Sequence, residues 1–116
     1  MPQLVALAFP VLSGNEGKAR DFVSAVKDKR KEFEKSSKNR KVKREAWFIQ
    51  QLPGSSTLIS FIEADDVEKA ISDFAHSTDP FDVWLKVQAK AITGMDLGQP
   101  LRIQFRRLCS RTDFRK

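Results

Sequence analysis

The chain is predicted to be α+β, in the order strand, helix, strand, strand, helix in two pieces, strand, around one antiparallel sheet. Three observations predict it. Two runs rich in β-branched and aromatic residues, Glu45 to Leu52 and Thr57 to Glu63, flank Pro53-Gly54-Ser55-Ser56, which makes the stretch a β-hairpin. On both sides of it, apolar residues recur at the three-and-four spacing of helices that lie on a core. The hairpin is also apolar on both parities, since Trp47 and Ile49 alternate with Phe48, and Leu58 and Ile62 with Ile59 and Phe61. Such a sheet demands cover on two sides.

The elements follow in order. Met1 to Leu12 forms strand one, with Leu4, Ala6 and Ala8 on one parity and Val5, Leu7 and Phe9 on the other. Ser13-Gly14-Asn15-Glu16 has the pattern of a capping box, a hydroxyl for free amides with a Glu three residues on. The helix it opens carries Ala19, Phe22, Val23, Val26 and Phe33 on one stripe and runs to Ser36 or Asn39. After the hairpin, Asp65 is the expected cap of a helix whose buried stripe is Val67, Ala70, Ile71 and Phe74, ending near His76. Asp79 caps a further helix, Pro80 suits its first turn, Asp82 complements its dipole, and Gly94 ends it. Leu101, Ile103 and Phe105 alternate with Arg102, Gln104 and Arg106 as strand four.

This order is the ferredoxin-like βαββαβ plan, with both helical regions on one face of a four-stranded antiparallel sheet and the second region split in two. The other face is then bare. An apolar face of that extent is rarely left to water, so a two-fold homodimer packed sheet against sheet is expected, closing an α/β barrel. Residues 1–106 form this domain, and residues 107–116 are a basic C-terminal tail.

Composition narrows the function classes. A chain of 116 residues and 13.2 kDa has room for one domain. The longest apolar run, Leu4 to Leu12, is broken by Pro10 and far too short to span a bilayer, so no membrane association is expected. The lone Cys109 excludes an intrachain disulfide and a cysteine-cluster zinc site, which makes the cytoplasm the expected address. The net charge of +6 is concentrated between Lys27 and Arg44 and in the tail. No aromatic is interleaved from Ser36 to Arg44, so a solvated helix end is preferred there to a nucleic-acid surface, with anion or nucleic-acid binding through residues 27–44 kept as an alternative.

Six residues are candidates for a small-molecule pocket in or beside the barrel: Trp47, Gln51, His76, Trp84, Arg102 and Gln104. The two indoles could line a planar ligand, or simply pack in the core. Arg102 and Gln104 share a strand parity with Arg106 and, with Gln51 or Gln50, would form a polar floor if that parity points inward. His76 is the single histidine, which rules out a multi-histidine metal site in one protomer, and its place at a helix end suits a dipole role. No metal and no cofactor is expected, because phosphate-cradling, dinucleotide-binding and zinc-protease motifs are missing.

Glu45-Ala46-Trp47-Phe48, Phe61-Ile62-Glu63 with Asp65-Asp66, and Asp79-Pro80-Phe81-Asp82-Val83-Trp84 resemble an uncharacterised bacterial family of the dimeric α/β-barrel superfamily. That superfamily includes antibiotic-biosynthesis and heme-degrading monooxygenases and stress-responsive barrel proteins. The resemblance spans Leu4 to Asp96 and implies the fold and the homodimer, with no catalytic residues carried over. By analogy it also implies the enzymatic alternative, a cofactor-independent monooxygenase or isomerase acting on an aromatic or polyketide-like substrate. Of the Asn, Trp and His that heme-degrading members use, only His76 has a counterpart in place.

Overall fold

The β-hairpin is the centre of the fold because its two strands carry the register for everything else. A computed structural model describes residues 2–99 of the chain. Its elements are β1 (Gln3–Pro10), α1 (Glu16–Asp28), α2 (Arg30–Asn39), β2 (Val42–Leu52), β3 (Ser55–Ala64), α3 (Val67–His76) and α4 (Pro80–Thr93). The strands form an antiparallel sheet in the order β1-β3-β2. The expected fourth strand, residues 101–106, and the tail lie outside the described residues.

The hairpin turn is tighter than the four residues expected. Leu52 pairs directly with Ser55, so only Pro53 and Gly54 make the bend. Proline holds φ at about −65°, and Gly54 has φ +80°, the combination of a type II turn that a side chain at the second position would strain. Val5, Leu7 and Phe9 of β1 face the same side as Leu58, Ser60 and Ile62 of β3 and Trp47 and Ile49 of β2. The helices cover that side. The opposite side carries Leu4, Ala6 and Ala8, then Ile59 and Phe61, then Ala46 and Phe48, with Leu4 59% and Phe48 54% exposed.

Two clusters of buried side chains fill the space beneath the helices. The larger joins Phe9 and Leu58 of the sheet to Phe22 of α1 and Leu85 and Ile92 of α4. The smaller joins Val42, Ile62 and Ala64 to Val67, Ala70 and Ile71 of α3. A run of rings threads the larger one: Phe9 stacks on Trp47, Trp47 meets the edge of Phe22, Phe22 stacks on Trp84, and Trp84 leans on Phe81. Such offset and edge contacts suit the ring quadrupoles and tie the sheet to α1 and α4.

Local signals placed α3 and α4 closely. Asp79 Oδ1 accepts from the Phe81 amide at 3.2 Å, Pro80 stands in the first turn, and Gly94 ends α4 in the left-handed region at φ +77°. Three expectations are corrected. The capping box before α1 does not form: the N-cap is Asn15 rather than Ser13 and makes no side-chain cap bond, while its Nδ2 donates to the Ala91 carbonyl at 2.9 Å, bracing the last turn of α4. Asp66, not Asp65, caps α3, accepting from the Lys69 amide at 3.0 Å. The first helical region is also in two pieces. It breaks at Lys29, whose ammonium lies 5.2 Å from the centre of the Trp84 ring, and the break re-aims α2 so that Ser36 turns inward.

Between α2 and β2 the backbone is strained. Lys41 has φ +57° just past the C-cap of α2, a position that favours glycine because an L side chain crowds the carbonyl there. Lys41→Gly is expected to raise the unfolding free energy by about 0.5–1 kcal/mol, checked as a higher urea midpoint at unchanged slope. A lower midpoint would show that the exposed lysine side chain contributes more than the strain costs.

Candidate functional site

A polar chain runs through the apolar space between α2, α4 and β2. Sheet pairing puts Glu45 on the helix-covered parity of β2, two residues from Trp47, where a lone carboxylate would be costly. Its partner is Arg40, the C-cap of α2, whose Nη2 donates to Glu45 Oε1 at 2.8 Å. Their side chains are 6% and 5% exposed, so this is a buried ion pair rather than a surface one. Ser37 Oγ donates to the same carboxylate oxygen at 2.9 Å. On the other side of the guanidinium, Nε and Nη2 reach Ser36 Oγ at 3.3 and 3.2 Å.

Ser36 passes the chain to α4. Its hydroxyl donates to Asp82 Oδ1 at 2.5 Å, and Ser77 Oγ donates to Asp82 Oδ2 at 2.6 Å. Asp82, expected only to complement the helix dipole, is 4% exposed and holds α2 and the α3–α4 connection together. Lys86 Nζ satisfies the end of α3 by donating to the carbonyls of Ala75 and Ser77 at 3.0 and 2.9 Å. Two cations approach the Phe74 ring, the Arg40 guanidinium carbon at 5.1 Å and Lys86 Nζ at 5.7 Å from its centre, each drawn to the ring quadrupole.

Where the two core clusters meet, they leave a hollow of about 30 Å³. That is room for roughly one or two waters, or for the end of a small molecule. Leu7, Ile62, Ile71, Phe74 and Leu97 give it an almost wholly apolar lining, and Arg40, Glu45, Ser60 and Trp47, which border it, turn little polar surface towards it. Trp47 Nε1 is buried and, among the described residues, has no hydrogen-bond partner. An unmet buried donor costs about 1–3 kcal/mol, and a fold keeps one where something else answers it.

The candidates drawn from sequence separate on this geometry. Trp47 lines the hollow. Trp84 stands one ring away, stacked on Phe22, outside it. Gln51 is exposed near the end of β2, and it shares the helix-covered parity with Trp47 whereas Gln50 is on the opposite one, so the two cannot serve one floor. His76 is exposed at the end of α3, its Nδ1 2.8 Å from the Ser72 carbonyl, consistent with the helix-end role. Arg102 and Gln104 lie outside the described residues.

Sequence reasoning missed Arg40, Ser36 and Asp82. Arg40 was absorbed into the basic stretch, most of which is solvated as expected, with Lys27, Lys31, Lys35, Lys38, Lys41 and Lys43 exposed. The signal that could have found it is Glu45, a charge on the same parity as Trp47 and Ile49, for which a buried position requires a nearby cation.

Among the described residues no group of three or more metal-ligating side chains converges, and no helix is long and apolar enough to cross a membrane. Residues 3–100 match the model of a family of unknown function (DUF6176). No curated protein and no solved structure matches the chain.

Proposed function

The chain belongs to DUF6176, a family of unknown function, and we propose that it holds a small molecule in the hollow beside its sheet, as one half of a ferredoxin-like homodimer that closes an α/β barrel. The observation that carries the binding reading is the hollow itself, apolar in its lining and bordered by the Trp47 indole. Small-molecule sites are concave and mostly apolar, with a few fixed polar groups.

Strand order supports the ferredoxin-like part. That plan arranges its strands 4-1-3-2, which leaves β1-β3-β2 when the fourth is set aside. Val11 donates to the Ser56 carbonyl at 3.0 Å, so by antiparallel alternation the amides of Leu4, Ala6 and Ala8 point away from β3. Pro10, with no amide to offer, falls in the same set. Residues 101–106 are the segment assigned to that edge.

The uncovered sheet face supports pairing with a second copy. Its one charged row is Leu4, Glu63 and Arg44, and there Arg44 Nε lies 2.6 Å from Glu63 Oε1, so the face carries no net charge. A chain of net charge +6 meets its own copy most favourably on such a face, and depletion of charge marks the core of interfaces. A two-fold axis along β3 would lay Phe48 of each copy over the small Ala8 of the other.

Sedimentation at micromolar concentration is expected to give twice the 13.2 kDa chain mass, and Phe48→Asp is expected to give the single-chain mass with secondary structure retained. A wild-type monomer would sink the barrel. Native mass spectrometry of the same material tests the hollow, with added mass on the folded protein as the expected result. A preparation free of ligand, with tryptophan emission unmoved by a graded set of small apolar molecules, would sink the binding reading.

A further inference from the structure

We infer that the free edge of β2 docks an extended acidic peptide segment, which adds a strand to the sheet beside the α1–α2 corner. The hollow plays no part in this. Three observations carry it: the edge, the groove next to it and the charge of both.

The edge is unpaired and unguarded. β2 ends the sheet on one side, with β3 as its neighbour. Val11 donates to the Ser56 carbonyl, so by antiparallel alternation Leu58, Ser60 and Ile62 bond towards β1, while Thr57, Ile59 and Phe61 bond towards β2. Their partners there are Gln50, Phe48 and Ala46, which leaves the amides and carbonyls of Trp47, Ile49 and Gln51 pointing away from the sheet. Among the described residues no other backbone group bonds to them. Edges are commonly blunted by proline, charge or a bulge. The irregularity in β2 falls earlier, between Val42 and Arg44, and Ala46 to Leu52 contains neither a proline nor a charge. Such a row is a template for another chain, held by main-chain hydrogen bonds.

A groove of about 520 Å³ lies between the α1–α2 corner and this strand. Val23 and Phe33, both half-buried, give it apolar surface, and the exposed Lys27 and Arg30 line it with Glu45, Ala46 and Trp47. A second groove of about 560 Å³ shares Phe33, Glu45 and Ala46 with the first and extends to Lys38, Lys43 and Arg44. Together they hold five cations against two carboxylates, Glu34 and Glu45, and Glu45 is already bonded to Arg40. Arg30, Lys43 and Arg44 have carboxylates at 3.4, 3.2 and 2.6 Å, whereas Lys27 and Lys38 have none among the described residues.

That charge selects the occupant. A second copy, paired edge to edge through β2, would bring an identical basic groove. Residues 100–116 of the chain carry six basic side chains and one acidic one, Asp113. An acidic strand from another protein instead meets Lys27 and Lys38 with its carboxylates, while its apolar residues cover Val23 and Phe33.

The test uses three probes: a capped heptapeptide of alternating Glu and Val, its Lys-Val counterpart, and an oligothymidylate, with amide exchange followed by NMR. In the free protein the Trp47, Ile49 and Gln51 amides are expected to exchange fast, and the Glu-Val peptide to slow them about tenfold at saturation. That peptide is expected to bind about tenfold tighter than the Lys-Val one. Lys27→Glu with Lys38→Glu, both exposed in the fold, is expected to weaken it about tenfold with secondary structure retained. Slow exchange of those amides in a peptide-free dimer would overturn the inference in favour of a second copy on the edge, and slow exchange in the dilute monomer would give the edge to the chain's own last segment. Equal binding of both peptides would overturn the charge selection, and binding without slowed exchange would overturn the added strand. Tighter binding of the oligothymidylate would make this a nucleic-acid surface instead. Binding of neither peptide would remove the docking site.

Discussion

Arg40→Ala is expected to destabilise the protein by about 3–5 kcal/mol, and Glu45→Ala by a similar amount, because each leaves the other's charge buried and uncompensated. The geometry argues for the upper part of what ion pairs cost to break. Arg40 makes its bond to Glu45 at 2.8 Å and shares Ser36 Oγ through two nitrogens, with Phe74 against its face. Without it, the Glu45 carboxylate keeps only Ser37 and sits among Trp47, Ile62 and Phe74. The double variant Arg40→Met with Glu45→Leu is expected to recover most of the loss, since apolar replacements of similar volume often match a buried pair. Urea unfolding of the two single variants and the double variant gives the coupling directly. Single-variant losses under 1 kcal/mol would mean that water reaches the pair.

Phe22→Ala should cost about 3–5 kcal/mol by the cavity it opens. Phe22 is 2% exposed and lies between the two indoles, edge-on to Trp47 at 5.5 Å and stacked on Trp84 at 5.8 Å. It is therefore the ring through which α1 holds the sheet and α4 in one body. Phe22→Leu keeps most of the volume and should cost about 1 kcal/mol. Thermal and urea unfolding measure both, and the tryptophan emission of the alanine variant should also change because both indoles lose a neighbour. Equal losses for the two variants would show that the shape of the ring, not the volume it fills, sets the stability.

How much was legible in the sequence depends on how local each cause is. Asp79-Pro80 and Gly94 marked the two ends of α4 because a cap, a proline and a left-handed glycine act within one turn of chain. Ser13-Gly14-Asn15-Glu16 carried an equally good local pattern and misled: the helix starts two residues later than a Ser13 cap would set it, with Asn15 as N-cap and its Nδ2 bonded to a carbonyl of α4 seventy-six residues away. The break at Lys29 had no local turn signal to announce it.

The sequence by itself determined the α+β class, the hairpin though not how short its turn is, the division of the second helical region and a sheet apolar on both parities. These follow from propensity, capping and alternation, all of which act over a few residues. Only the tertiary structure decided which parity the helices cover, and with that choice Trp47 and Glu45 went inward while Phe48 and Phe61 were left outside. The same choice drew Arg40 out of the solvated basic stretch and onto Glu45, because a carboxylate taken from water must be matched where it lies, and the match is set by packing across the sheet and helices rather than by neighbours along the chain.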